Sequence, residues 1–345
     1  MNRTMKKSRT IDFLSDLKEE AIDILQQHGV RYHINDSTHE ILIRLFSFQA
    51  RYISQRKRTV MLSNELNQKI LTLPPKVNCA IHKMIGWAEQ GVDINSFQSS
   101  SLHGSGGNRD YQNSLFGTVH LHLSADEADT LPVVKKNGFS KRSGQVLIAR
   151  FQEDYAYFID VMDHPGREDP AWTSKTILQI MKDNWPKLVE PFVFRNAALC
   201  TESGMKVEIG NEELFQLTSN GVNALMTVDD GVVFAPNGGV VLNGTNMLAV
   251  NKADKCCNEA LSVQKLYEKN KKMLRRQARK MLIEERIQVP RKSDVQFEFF
   301  EELGRFAVFN RAFKIAWDYT ENRLIHFPDY SIKQVRESRR QRIVN

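Results

Sequence analysis

The chain has 345 residues, 41% hydrophobic and 26% charged, with 48 Lys/Arg against 41 Asp/Glu for a formal charge of +7. That length suits two or three domains, and the apolar content is enough to bury real cores, which excludes global disorder. No run of 18 apolar residues occurs, which argues against a membrane-spanning helix, and the excess positive charge points toward a phosphate-rich partner.

Residues 1–94 read as a helical N-terminal region. Its basic opening, "MNRTMKKSRTIDFLSDLKEE", lacks the apolar core of a secretory signal. Ile11, Leu14, Leu17, Ala21, Ile24 and Leu25 then form a stripe of helical period, with Gly29 placed as a C-cap. "THEILIRLFSFQARYISQRK" fits helix or strand and is taken as helix, and "PPKVNCAIHKMIGWAEQGVD" is a further helix ended by Gly91. Residues 95–115, rich in Ser and Gly, are expected to be a linker or loop.

From residue 116 the period changes to two. "GTVHLHLS", "GQVLIARFQ" and "YAYFIDVMDH" read as short strands, the last two as a hairpin. "TSKTILQIMKDNWPKLVE" follows as a helix capped by Thr173 or Ser174 and closed near Pro186. Residues 116–190 therefore form a small α/β unit. Residues 191–257 carry β-branched runs broken by Asp-Gly, Gly-Gly and Asn-Gly, the composition of a small antiparallel module. Residues 258–345 read as a basic helical C-terminal region: a long helix, then a second helical segment after Pro290. The fold class expected is α+β and multidomain.

The chemistry-bearing residues concentrate in the central unit. In a strand, residues two apart share a face, so His120 and His122 point together while Val119, Leu121 and Leu123 point to a core. The third strand offers Asp160 and His164 on one face and Asp163 on the other. Two imidazoles and a carboxylate can bind a divalent metal, and two imidazoles alone can serve as general base and general acid in phosphodiester cleavage. A polar strand face with no chemistry is the third possibility. Lys135, Lys136, Lys141 and Arg142, in the loop after the first strand, and Arg150, in the second, could stabilise charge building on a phosphate. The glycines of "APNGGVVLNGT" are explained by turns, and no P-loop, dinucleotide fingerprint or other cofactor motif occurs. The cysteines Cys79, Cys200, Cys256 and Cys257 have neither metal-knuckle nor disulfide spacing, which fits a reduced cytoplasmic protein without a cofactor.

Positive charge is clustered. Residues 265–292 hold eleven Lys/Arg against three Glu, and "KQVRESRRQR" near the C-terminus holds five against one. Smaller clusters are "RYISQRKRTV" and "KKNGFSKRSG". Lys271, Lys272, Arg275, Arg276, Arg279 and Lys280 are the candidate nucleic-acid-binding residues of the long helix, and a protein partner is the alternative occupant.

The succession "GTVHLHLS", basic loop, "SGQVLIARF", "YAYFIDVMDHPGR" and short helix resembles the RelE/ParE superfamily of bacterial toxins over about 75 of the 345 residues. The resemblance implies a small sheet that cuts ribosome-bound mRNA or inhibits gyrase, with an antitoxin as partner, and Arg142, Arg150, His164 and Arg167 as matching positions. "VHLHL", "RSGQVLIAR", "YFID" and "NWP" together are also similar to uncharacterised bacterial mobile-element or phage-defence proteins. The leading expectation is a nucleic-acid-directed effector, a metal-independent ribonuclease preferring RNA over DNA, with His120, His122 and His164 as acid/base groups and Arg142 and Arg150 on the phosphate. A non-enzymatic adaptor binding nucleic acid or protein is the second expectation. A metal nuclease using His120, His122 and Asp160 is the third.

Overall fold

The computed structural model describes residues 11–104, 110–124, 138–140, 144–166, 168–195, 199, 203–204, 207–228, 231–290, 294–300 and 305–328. The chain is α+β. It divides into two compact units, one built from Phe46–Asn251 and the other from Met1–Leu45 with Lys252–Gln341. Among the described residues no helix is long and apolar enough to cross a membrane.

The unit of Phe46–Asn251 is organised by a four-stranded sheet. Its strands are β1 (Thr59–Leu62), β2 (Val119–His122), β3 (Gln145–Phe151) and β4 (Tyr155–Asp163), in the order β1-β4-β3-β2. β1 runs parallel to β4, and the other pairings are antiparallel. Helices cover both faces, which is why the strands read as nearly continuous apolar runs. On one face Leu121, Leu147, Ala149, Ala156, Phe158 and Val161 share a core with Leu66 of α3 (Asn64–Ile70) and with Ile81 and Met84 of α4 (Pro75–Gln90). On the other face Val146, Ile148 and Ile159 share a core with Leu115 and Phe116 of α5 (Tyr111–Phe116) and with Ile177, Leu178 and Met181 of α6 (Lys175–Asn184).

Local signals set the ends of these elements. Ser174 caps α6, its side chain accepting from Thr176 N–H, and α6 stops just before Pro186. Gly91 ends α4 at φ +75°, and a Cβ there would sit 2.8 Å from the Arg56 carbonyl carbon, so the close approach requires glycine. A smaller sheet of β5 (Val193–Arg195), β6 (Met226–Val228) and β7 (Gly231–Val233), ordered β5-β7-β6, is antiparallel as the turn dipeptides suggested. Met226 and Val233 join the α6 core together with Leu214 of α7 (Asn211–Ser219).

The second unit contains α1 (Phe13–Gln27), most of α2 (Thr38–Gln49), most of α8 (Met247–Glu284) and an antiparallel meander. The meander strands are β8 (Val295–Phe300), β9 (Arg305–Asn310), β10 (Ile315–Asp318) and β11 (Arg323–His326), in sequential order. Phe13 of α1 stacks on Phe297 of edge strand β8 with ring centroids 5.2 Å apart, and the Asp16 carboxylate accepts the Phe297 N–H at 3.0 Å. A helix side chain thus satisfies an edge donor that would otherwise invite another strand.

Four expectations change. The region after Pro290 is sheet rather than helix: its aromatic runs are short and separated by turns, with Lys314 at φ +54° and Asn322 at φ +49°. Aromatic residues on a half-buried pleated surface favour strands. The segment 95–115, expected as a linker or loop, includes the start of helix Tyr111–Phe116 and two short 3-10 turns with Phe97 and Leu102 buried. Their anchor is the Asn95 amide, which accepts from Ile53 N–H at 2.8 Å and donates to Ile53 C=O at 2.7 Å. The mainly helical stretch up to residue 72 supplies strand β1. The long basic helix begins at Met247 rather than at 258.

Asp318 gives this unit an acid-sensitive point. Its fully buried carboxylate is 2.8 Å from Arg305 and accepts from the N–H groups of Thr320 and Glu321. Burial alone would raise the carboxyl, but the Arg305 hydrogen bond and charge and the two backbone donors outweigh it and hold it below the usual carboxylate range. A depressed carboxyl contributes stability that is present above the unfolded value and lost as pH falls through the folded one. Asp318→Asn is therefore expected to destabilise this unit by about 3 kcal/mol near neutrality. In thermal unfolding followed from pH 7 to pH 2, the gap between variant and wild type should close on the acid side.

Candidate metal centre

The site sits on the α6-covered face of the larger sheet. Asp110 caps α5 by accepting Asn113 N–H at 3.0 Å, and Gly117, at φ +68°, turns the chain from α5 directly into β2. A Cβ on Gly117 would meet the Arg150 guanidinium and the Asn237 amide at 3.4 Å, so the turn is closely packed as well as left-handed. β2 then alternates as expected: Val119 and Leu121 enter the α3–α4 core, while His120 and His122 take the opposite face. His120 lies opposite Ile148 and His122 opposite Val146, and Val146 in turn pairs with Met162. The ladder continues one step further, where His164 N–H donates to Gly144 C=O at 2.8 Å. His164 therefore shares a face with His120 and His122, and the intervening residue, Gly144, has no side chain.

The three imidazoles converge. Ring centroids are 5.6 Å apart for His120 and His122, 5.7 Å for His120 and His164, and 5.0 Å for His122 and His164. One ring nitrogen from each lies within 4.8 Å of the others, the one such grouping of three potential metal ligands among the described residues. A tetrahedral ion with metal–nitrogen bonds of about 2.0–2.1 Å needs nitrogens about 3.4 Å apart, so small side-chain rotations close the gap. His164 Nδ1 lies 2.8 Å from Pro165 C=O. A carbonyl only accepts, so Nδ1 carries the proton and Nε2 keeps the lone pair that a metal would use.

Trp172 covers the group. Its ring centroid is 4.8 Å from that of His120 and 5.5 Å from that of His164, and its indole N–H donates to Gly166 C=O at 2.6 Å. It belongs to a 3-10 turn, Pro170–Thr173, capped by Asp169 through Ala171 N–H and anchored by fully buried Thr173. Gln112 of α5, 1% exposed, has no hydrogen-bond partner for either amide atom. Its helix packs against that same turn, so unused hydrogen-bonding capacity is buried on this side of the sheet.

The other site candidates separate from the cluster. The register of β3 and β4 shifts by one residue at Ile159, and the Asp160 carboxylate is taken by Lys69 at 2.7 Å and by Val161 N–H at 2.8 Å. Asp160 is thus committed elsewhere, and His164 holds the third position. Arg150 donates to Phe116 C=O at 3.1 Å, and burial pushes its guanidinium down, so it serves the α5–β2 turn. Arg142, Arg167, Lys135, Lys136 and Lys141 lie outside the described residues.

The basic cluster at 51–60 is mostly structural. Arg51 and Arg58 are buried, and Arg56 pairs with Glu153 at 2.8 Å. Arg58 donates to the carbonyls of Gln152, Ser54 and Arg56, and burial together with the neighbouring Arg56 charge pushes it down to about 10. Cys256 is not an activated thiol, because burial, Glu259 and Cys257 push it up to about 11. Lys271, Lys272, Arg275, Arg276, Arg279 and Lys280 are all exposed on α8.

Compared with models of known protein families, with curated proteins and with solved structures, the chain matches none. The functional reading therefore rests on the residues themselves.

The partition between cluster and edge is testable at Asp160. Its pair with half-exposed Lys69 contributes about 1 kcal/mol or less. Asp160→Asn should lower urea-unfolding stability by no more than that and leave the NMR signals of the three imidazoles in place. A shift of those signals would return Asp160 to the cluster.

Proposed function

We propose that this protein is a metal-dependent hydrolase whose reaction centre is one zinc-class ion held by His120, His122 and His164. The observation that carries the reading is the convergence of three imidazole nitrogens within 4.8 Å on one face of the sheet. Imidazole suits zinc, and three neutral ligands leave the ion its full double charge and an open fourth position. Held there, the ion would supply a water ionised near neutrality as the nucleophile for ester hydrolysis. Trp172 restricts water on one side, and the Pro165 carbonyl holds the His164 ring in its ligating tautomer. A phosphodiester is the substrate class we assign, because the RelE/ParE resemblance of this segment implies RNA cleavage.

A second reading keeps the metal-independent chemistry that the RelE/ParE resemblance implies. It draws support from the unequal burial of the rings: His122 is 2% exposed, whereas His120 and His164 reach solvent in part and could act as base and acid.

The two readings diverge in one experiment. Purified protein dialysed against zinc should hold one equivalent per chain, read by atomic absorption, and should hydrolyse a chromogenic phosphodiester. His120→Ala, His122→Ala and His164→Ala should each lose more than the 10–100-fold in zinc affinity typical of a lost outer partner, and Trp172→Ala should lose about that much. Zinc bound equally well by the three alanine variants would end the metal reading. Chelator-resistant cleavage abolished by His120→Ala would install the metal-free one.

A further inference from the structure

We infer that the exposed face of α8 is a binding site for the phosphate backbone of a double-stranded nucleic acid. The inference is independent of the metal centre. Residues 265–280 hold eight Lys/Arg and one acidic residue. Within them Lys265, Lys269, Lys272, Arg276 and Lys280 recur three or four positions apart, with Arg279 beside them, which in a helix makes one continuous row. At a rise of about 1.5 Å per residue the row is about 22 Å long. All six residues are exposed.

The opposite face of α8 is already used. Val263, Leu274, Ala278 and Leu282 are buried, and Ala278 and Leu282 share a core with Phe313 and Ile315 of the meander. Packing thus fixes which side faces outward. It also argues against a membrane surface, since an interfacial helix inserts a continuous apolar face, and here the buried stripe is occupied and the apolar residues left outside, among them Leu266, Met273 and Ile283, are scattered.

Among the described residues little neutralises the row. The ion pairs of this stretch are Lys271 with Glu268, beside the row, and a 3.6 Å contact of Lys280 with Glu284 at its end. Among the described residues Lys265, Lys269, Lys272, Arg276 and Arg279 have no acidic partner. Five like-charged neighbours three or four apart each destabilise a helix by about 0.2–0.5 kcal/mol. The buried stripe tolerates that repulsion with no acidic partner for these five among the described residues, which points to an anion from outside.

The form of the row selects the anion. A straight, rigid line of cations matches a straight, rigid polyanion, and duplex DNA carries about one charge per 1.7 Å of its axis. A single strand is flexible and is usually held by aromatic platforms. No aromatic stands in the row, and Tyr267, the aromatic of this stretch, packs instead against Phe13 and Trp317. The row has no side chain suited to bidentate base reading except Arg276 and Arg279, so contacts to backbone dominate and binding should be largely independent of sequence.

The test is fluorescence anisotropy of full-length protein with 20-base-pair duplex DNA, duplex RNA and single-stranded RNA, each from 50 to 300 mM NaCl. Wild type should bind both duplexes more tightly than the single strand, with affinity falling steeply with salt. Each of Lys269→Gln, Lys272→Gln and Arg276→Gln should reduce the slope of log K against log salt by about 1, and the triple variant by about 3, with circular dichroism unchanged. Lys255→Gln, outside the row, is the folded control and should leave the slope unaltered. The double variant His120→Ala/His122→Ala should bind duplex as wild type does, so failure of the metal reading leaves this one standing. Unchanged slopes in the triple variant, preference for the single strand, or equal binding to vesicles of anionic lipid would each overturn the assignment.

Discussion

The α3–α4 core fixes the register of strand β2, and the site follows from that one constraint. Val119 and Leu121 fill that core, so alternation sends His120 and His122 to the other face, where His122 is buried and His120 reaches solvent in part. A slip of one residue would bury the imidazoles among Leu147, Ala149 and Phe158 and expel the leucine, so the hydrophobic core of one face sets the chemistry of the other. The geometry of the imidazole group is therefore only as precise as the packing of Leu121, and that packing is dense.

The strand pattern was legible because period-two alternation is local. "VHLHL" assigns its own faces, "VLIARF" and "YAYFIDV" read as a buried hairpin, and Ser174 and Pro186 bracket α6 as their chemistry requires. The choice between Asp160 and His164 was not legible. Simple alternation places both on the histidine face. A one-residue register shift at Ile159 then leaves the Asp160 carboxylate to Lys69, which comes from a helix some ninety positions earlier. A bulge is a tertiary decision with no local signature. Trp172 carries no local signal either, since only its neighbours in the fold reveal what it covers.

The C-terminal meander was missed through ambiguity rather than distance. In "FFEELGRFAVFNRAFKIAWDY" aromatics fall at spacings compatible with both periods, and the turns after β9 and after β10 place Lys314 and Asn322 at positive φ. Asx-type residues tolerate the left-handed region, but a lysine there gives no warning. The Ser/Gly-rich segment misled in the opposite sense. Its 3-10 turns satisfy their own backbone, and the buried Asn95 amide ties it to the backbone of Ile53, so composition suggested a linker or loop where the fold uses an anchored segment.

Positive charge in this protein serves two physical purposes that composition alone confuses. Arg51 and Arg58 are buried; Arg58 is spent on backbone carbonyls, and its low-dielectric surroundings depress its guanidinium. The α8 residues are the reverse case, exposed and mutually repelling along one row, where among the described residues Lys280 alone meets a carboxylate. Burial separates the two: a cation surrounded by carbonyl acceptors already has its counter-dipoles, whereas a row of solvated ones keeps its field available at a distance of about a Debye length, roughly 8–10 Å at physiological salt. Net charge thus overstates the surface available to a polyanion in the Phe46–Asn251 unit and describes it correctly along α8.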